Sequence, residues 1–208
     1  MDAATLLHAE VARFRQWAAG IPIATRSGEW ECEYSDWTRL WAAAKLLITT
    51  VPVTAWSEGV TEDLLYALAR DNEVERIADE LESRNKSLLE LAARAINSVE
   101  ADAKWQLAAK LGGLSEQVPT AEALLIHFVQ DGNEYVSRRA LLALGKLKSD
   151  RTETFAEQAW QTGHEYQRIA ALWALKDVGS PKLSAYLRKA EEDGREYVVS
   201  NAAEIRAA

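Results

Sequence analysis

A short motif recurs at a constant interval in the C-terminal part of the chain. The sequence Gly-Asn-Glu-Tyr beginning at Gly132 returns as Gly-His-Glu-Tyr at Gly163 and as Gly-Arg-Glu-Tyr at Gly194, 31 residues later each time. An alanine-rich run of helical character follows each copy. A period of this length is typical of stacked supersecondary units rather than of one globular core. Arrays of this kind expose an extended surface and rarely enclose a catalytic pocket.

The chain from residue 71 onward is predicted to form helix pairs, because sustained alternation of apolar and polar residues is absent. The predicted helices are Glu73–Ser83, Lys86–Asn97, Asp102–Leu111, Thr120–Gln130, Glu134–Leu147, Thr152–Thr162, Glu165–Val178, Lys182–Glu192 and Glu196–Arg206. Gly145 and Gly179 are expected to end their helices, since glycine adopts positive φ at little energetic cost.

The first 70 residues lack the period, and we predict that they form an N-terminal helical cap with a divergent repeat. The predicted helices are Ala4–Ala19, Trp37–Thr50 and Thr61–Arg70. Asp36 is placed to N-cap the second of these helices. Residues 20–35 form a long irregular connection, which is uncommon unless it covers or binds something. We therefore predict two regions, the cap with its divergent repeat over residues 1–70 and one continuous solenoid over residues 71–208.

The alanine-rich repeats also carry a family resemblance. It rests on Val136, Ala140 and the run Ala143-Leu144-Gly145-Lys146-Leu147 in one repeat, and on Arg168, Ala170-Ala171 and Ala174-Leu175 in the next. These residues resemble HEAT-like repeats of the short bacterial type. The resemblance implies an all-α fold, an α-solenoid of about four to five stacked antiparallel helix pairs with an N-terminal helical cap. It says almost nothing about function, because one fold hosts many functions.

The charge of the chain bears on the kind of partner it can bind. Its formal net charge is −8. Phosphate backbones are bound through clustered Lys and Arg, so nucleic acid is not an expected partner. A basic protein is a natural partner, because attraction between opposite charges raises the rate at which two proteins associate. The alternative is that the acidic residues only keep the chain soluble. Without a signal sequence or a span long enough for a bilayer, we expect no membrane association and a cytoplasmic location.

The sequence contains no motif that carries known catalytic chemistry. His8, His127 and His164 are scattered and lack partners at metal-binding helical spacing. The single cysteine, Cys32, lies between two glutamates, which oppose the thiolate that a nucleophile needs. Nucleotide-binding loops and the nucleophile elbow of hydrolases are missing as well. We therefore expect no enzyme activity, no catalytic residue, no cofactor and no metal.

Alignment of the second helices by the 31-residue period predicts a partner-binding stripe. Its candidate residues are Glu122, Ile126, Val129, Glu153, Glu157, Trp160 and Arg188. This stripe is expected to face solvent on the concave side, where an aromatic ring among apolar neighbours with a charged rim is typical of binding hot spots. The alternative is that Trp160 packs into the groove between repeats.

Three functional interpretations remain open from the sequence. The first is an acidic helical-repeat module that masks or recruits a basic protein, in particular a bacterial immunity or antitoxin-like protein that neutralises a nuclease-type toxin. The second is a HEAT-like DNA glycosylase for alkylated bases, which would use concave tryptophans and a basic surface. The third is an accessory scaffold or lyase related to other short repeats. An acidic or apolar binding face favours a protein ligand, and a basic face favours the glycosylase.

Overall fold

A computed structural model describes residues 2–116 and 118–207, and within these residues all regular secondary structure is helical. The α-helices are α1 Ala3–Ala19, α2 Trp37–Thr50, α3 Glu58–Arg70, α4 Arg76–Glu82, α5 Asn85–Ala95, α6 Ala101–Leu111, α7 Val118–Val129, α8 Glu134–Lys146, α9 Thr152–Gln161, α10 Glu165–Val178, α11 Leu183–Asp193 and α12 Glu196–Ala207. Short 3-10 helices cover Ile23–Thr25, Trp30–Glu33 and Val53–Ala55. The all-α class predicted from the sequence is confirmed.

The chain divides into two compact units, residues 1–107 and 108–208. The boundary between them falls inside α6. The division at residue 70 into a cap and one continuous solenoid stays a prediction.

The second unit consists of helices that stack in the order of the repeats. The first helix of each repeat packs against the next one, α8 against α10 and α10 against α12. The second helices α7, α9 and α11 each pack against the first helix that follows them. Ala140, Ala143, Ala171 and Ala174 are buried in this stack, where their small side chains allow neighbouring helices to approach closely. This arrangement of helix pairs is that of an α-solenoid.

Two glycines bring the first helices into backbone contact. A Cβ atom added at Gly112 would lie 2.8 Å from the Ala143 Cα, and one added at Gly145 would lie 2.9 Å from the Ala174 Cα. Ala143 and Ala174 occupy the same position in successive repeats, and each is approached by a glycine of the preceding repeat. Gly145 lies inside α8 without positive φ, so the expectation that it ends the helix through positive φ is wrong. Gly179 does end α10, with φ 70°.

The first unit has an aromatic core between α1, α2 and the connection that joins them. Phe14 of α1 lies at the centre, with its ring centroid 4.8 Å from that of Tyr34 and 5.3 Å from that of Trp37. Trp30 in the connection stacks on Trp17 of α1, with ring planes 6° apart and centroids 5.5 Å apart. Large aromatic rings bury much apolar area, so this cluster anchors residues 20–35 against the helices.

The connection over residues 20–35 also satisfies the end of α1. The Arg26 guanidinium donates hydrogen bonds to the carbonyl oxygens of Ala18 and Ile21, at 2.5 and 3.2 Å. Terminal carbonyls of a helix lack intrahelical donors, and a cation there also favours the helix dipole. Asp36 precedes α2 as predicted, but its side chain makes no capping hydrogen bond. The long connection therefore acts as a packed cover of the first unit.

Asp71 ties three helices of the first unit together. It follows α3, and its carboxylate accepts a hydrogen bond from Trp41 Nε1 of α2 and another from the Ile77 backbone N–H of α4, each at 2.8 Å. The residue is only 2% exposed. Burial raises the pKa of Asp71 from its ordinary value of 3.8 to about 6. Loss of solvation for the charged form outweighs the two hydrogen bonds and nearby Arg76.

We expect Gly145→Ala to destabilise the protein by about 1 to 3 kcal/mol, because the new methyl group would overlap the Ala174 backbone. Urea unfolding would measure the loss. Gly59→Ala is the matched control, since Gly59 also lies in a helix but faces open space. Alanine has the higher helix propensity, so the control should be neutral or stabilising. Equal stability of the two variants would contradict the close approach.

We expect Asp71 to make stability depend on pH in the window between its two pKa values. Because the folded-state pKa is raised to about 6, the contribution is present below pH 4 and is lost as pH rises through 6. Relative to Asp71→Asn, the wild-type free energy of unfolding should fall by roughly 3 kcal/mol between pH 4 and 7. Denaturant titrations at several pH values would measure this difference. Parallel pH profiles would refute the shifted pKa.

Candidate functional site

The predicted stripe lies on the second helices α7, α9 and α11 of the repeats. The neighbouring core positions of these helices are buried as the alignment predicts, and they include Leu125, Phe128, Phe155, Ala156 and Ala190. The stripe residues beside them differ in exposure. Glu122, Ile126, Val129, Glu153 and Glu157 are half-buried, and Arg188 is exposed. The period therefore places these residues at equivalent positions, but it does not make them equally accessible.

Trp160 is the residue for which the predicted exposure is wrong. Its side chain is 8% exposed and packs edge-to-face against Tyr186, with ring centroids 5.2 Å apart. The Arg168 guanidinium covers the ring at 5.0 Å from its centroid, and Arg168 Nε donates to the Trp160 carbonyl oxygen at 3.2 Å. Trp160 thus fills the groove between repeats, which was the alternative interpretation. The indole supports the surface from beneath and does not form it.

Two glutamates of the stripe join consecutive repeats. The Ser149 hydroxyl donates to the Glu122 carboxylate, and 31 residues later the Ser180 hydroxyl donates to the Glu153 carboxylate at 2.6 Å. Each serine also accepts a backbone hydrogen bond from the residue two positions onward, Arg151 or Lys182. The serine lies in the loop of one repeat and the glutamate on the second helix of the preceding repeat. The same hydrogen bond therefore links two pairs of neighbouring repeats.

Lys182 places a positive charge among the acids of the stripe. Its Nζ lies 3.2 Å from Glu153 and 2.5 Å from Glu157. Hydrogen bonds from Ser180 and Lys182 lower the pKa of Glu153, and the hydrogen bonds that Lys182 donates to Glu157 and Glu153 raise the pKa of Lys182. The formal charges of two carboxylates and one ammonium give this part of the stripe one net negative charge.

The ends of the stripe are held by Arg168, which also covers Trp160. Arg168 forms an ion pair with Asp193, whose carboxylate Arg195 also contacts, at 2.6 and 2.7 Å. The hydrogen bonds from Arg195 and Arg168 hold the pKa of Asp193 well below its usual range. Ser137 occupies the equivalent position one repeat earlier, and its hydroxyl donates to the Val129 carbonyl oxygen at 2.9 Å. The first helices α8 and α10 thus each donate a side-chain hydrogen bond to the end of the preceding second helix.

The residues that the sequence interpretation missed are the loop serines, Lys182 and Asp193. Ser149 and Ser180 are 31 residues apart, and so are their partners Glu122 and Glu153. The equal spacing of the serines and of the glutamates was the sequence signal that could have predicted these hydrogen bonds. The period gives no such signal for Asp193, because a threonine, Thr162, occupies its position one repeat earlier. The stripe is therefore a half-buried, hydrogen-bonded acidic surface with a small apolar part at Ile126 and Val129.

Other candidate groups in the described residues are held by structural partners. His8 Nδ1 lies 2.7 Å from Asp63, a buried carboxylate that also contacts Arg15. Trp41 has Trp37 stacked at 5.5 Å and the Arg76 guanidinium at 4.2 Å from its ring. Residues 2–116 and 118–207 contain no cluster of three or more His, Cys, Asp or Glu that could hold a metal ion. Within the same residues, no helix combines the length and apolar character that a bilayer crossing requires.

Comparison with known proteins places the repeats of the second unit in a family. The family model described as HEAT repeats matches residues 121–207, from the first turn of α7 to the end of α12. No curated protein and no solved structure shows a significant match to the chain. The family match covers the repeats and the stripe, and it leaves residues 1–120 outside.

We expect Trp160→Ala to lower the free energy of unfolding by about 3 kcal/mol or more, because it removes a buried indole between two repeats. Gln158→Ala is the control, since Gln158 is exposed on the same helix and should be nearly neutral. Thermal and urea unfolding of both variants would measure the difference. A Trp160→Ala protein as stable as Gln158→Ala would show that the indole is not buried in solution.

Proposed function

Because residues 121–207 match the family model for HEAT repeats, we propose that the chain is a protein-interaction module that masks or recruits a basic protein partner. In its specific form, the proposal is a bacterial immunity or antitoxin-like protein that neutralises a basic, nuclease-type toxin. The observation that carries the proposal is the repeated row of carboxylates along α7 and α9, on a chain of net charge −8. HEAT repeats are a scaffold typical of protein binding rather than of catalysis.

The stripe is a binding surface whose carboxylates are oriented before a partner arrives. Glu122 and Glu153 are fixed by serine hydroxyls, so they lose little conformational freedom when a partner arrives. Ile126 and Val129 supply apolar area beside them. The buried Trp160 keeps the underlying helices in place. A basic side chain of the partner would meet carboxylates that are already oriented.

The charge of the chain supports fast encounter with a basic protein. Opposite fields raise association rates and do so less at high salt, because the Debye length shortens. A nuclease needs a cationic surface in order to bind the phosphate backbone of its substrate. An acidic array that covers this surface would block substrate access without any chemistry of its own. This argument favours the inhibitor over a nucleic-acid enzyme.

The proposal is tested first by capture of the partner from the native host and then by kinetics with the purified partner. We expect Glu157→Lys to slow association several-fold at low salt and less at high salt, because rim charges act through the long-range field. Glu157→Lys combined with Lys182→Glu is the control, since it keeps the net charge and restores an ion pair. An association rate that changes neither with the charge reversal nor with the salt concentration would contradict electrostatic recruitment.

The immunity role has its own test. We expect that expression of the captured partner alone arrests growth and that co-expression with this chain restores it. A captured partner that is basic but does not arrest growth would contradict the immunity role, and the proposal would then be reduced to an adaptor that recruits a basic protein. A partner that is acidic, or capture of nucleic acid only, would contradict the protein-masking proposal as a whole.

A further inference from the structure

The tyrosine of the recurring motif is exposed in every copy. Tyr135, Tyr166 and Tyr197 are 38%, 46% and 58% exposed, and each lies in the first turn of α8, α10 or α12. Exposed aromatic side chains that recur at one repeat position are candidates for ligand contact. Because α8 packs on α10 and α10 on α12, the three rings form a row along one edge of the second unit. We call this row the tyrosine row.

The edge that carries the tyrosine row is held rigid by hydrogen bonds between repeats. Gln167 Nε2 of α10 donates to the Glu134 carbonyl oxygen at the start of α8, at 3.1 Å. Arg195 at the start of α12 donates to the Gly163 carbonyl oxygen before α10, at 3.0 Å. The helix starts that carry the rings are therefore linked to one another. A ligand that spans the row would meet a preorganised surface.

The protein itself shows how the rings accept a cation. The Arg138 guanidinium lies 4.5 Å from the Tyr135 ring centroid and 4.9 Å from that of Tyr166. One guanidinium therefore contacts two successive rings, and the two centroids cannot be further apart than the sum of these distances. In the next interval, between Tyr166 and Tyr197, the position of Arg138 is taken by Ile169. That residue cannot supply a cation to this pair of rings.

Carboxylates flank the same interval. Glu165 and Glu196 precede Tyr166 and Tyr197 directly, in the first turns of α10 and α12. The corresponding Glu134 of α8 is already paired with Arg138 at 3.1 Å. The interval between Tyr166 and Tyr197 thus has the rings and the acids of the preceding interval, but no arginine at the position of Arg138. Arg195 is near Glu165, and its guanidinium donates to Asp193 and to the Gly163 carbonyl oxygen.

From this comparison we propose that the tyrosine row binds an extended, arginine-bearing segment of a protein partner, with one guanidinium stacked between Tyr166 and Tyr197. Arginine is preferred over lysine because its planar guanidinium stacks on aromatic rings and pairs with carboxylates at once. A polyproline II segment advances about 9 Å per turn of three residues, so side chains at every third position lie along one face of the segment. Aromatic surfaces are also the usual docking sites for such segments.

This surface lies on the first helices, whereas the proposed acidic stripe lies on the second helices. The inference therefore extends the protein-binding role and assigns it a second contact region. Its test uses synthetic peptides and does not require the native partner. If the peptide fails to bind while a basic partner is still captured, the inference is wrong and the proposed function stands. If the peptide binds and no basic partner is captured, the inference stands and the proposed function is wrong.

The experiment is fluorescence anisotropy with the full chain and a labelled peptide of four Pro-Pro-Arg repeats. Peptides of four Pro-Pro-Lys and four Pro-Pro-Gln repeats provide the comparison. We expect the arginine peptide to bind at least about fivefold more tightly than the lysine peptide, and the glutamine peptide not to bind. Equal binding of the arginine and lysine peptides would show attraction to the acidic chain as a whole and would overturn the proposal.

Variants of the row then locate the binding site. Ile169→Arg should weaken peptide binding about fivefold or more, because the new side chain occupies the interval from within. Tyr197→Ala should weaken binding similarly, and Tyr197→Phe should retain it because the ring remains. Glu58→Gln, an exposed glutamate of the first unit, is the control for lost charge. Wild-type affinity in Ile169→Arg, confirmed folded by circular dichroism, would overturn the proposal even where Tyr197→Ala proved unstable.

Discussion

The backbone contact between successive first helices is the constraint on which the second unit depends. Gly112 against Ala143 and Gly145 against Ala174 bring the helix backbones so close that one methyl group would overlap its neighbour. This close approach sets the distance between successive first helices. The other contacts between neighbouring repeats are made at that distance. The second helices, the loop serines and the tyrosine row are placed by it. The alanine-rich composition of α8 and α10 is therefore a geometric requirement as well as a helical preference.

The contacts that join repeats are polar, directional and only partly periodic. Ser149 with Glu122 and Ser180 with Glu153 repeat at the period of the chain. Arg168, by contrast, covers Trp160 and pairs with Asp193, and its counterparts Ser137 and Val199 carry no charge that could do the same. In a linear array each interface contributes through its nearest neighbours. The interface around Trp160 is thus individually built, within a unit whose spacing is common to all repeats.

The two faces of the second unit offer different chemistry to a partner. The stripe on α7 and α9 presents fixed carboxylates with a small apolar area, which suits electrostatic recruitment. The tyrosine row presents exposed rings with carboxylates beside them, which suits stacking of a guanidinium. Both surfaces favour a cationic protein ligand, and both are preorganised by hydrogen bonds between repeats. A shared preference for basic partners on two faces is consistent with the acidity of the whole chain.

The sequence by itself determined the helical class, the 31-residue period and nearly all helix boundaries of the second unit. These properties are local, because helix periodicity, alanine content and the Gly-x-Glu-Tyr motif act within one repeat. The tertiary structure decided which stripe residues are accessible. Val129 and Trp160 share a repeat position, yet only the indole is covered, because Tyr186 and Arg168 from neighbouring elements lie over it. The role of Gly145 was likewise decided by a helix from the next repeat. The burial of a residue depends on which side chains of other segments pack against it. A repeat pattern gives the position of the residue within its repeat, but it does not give those side chains.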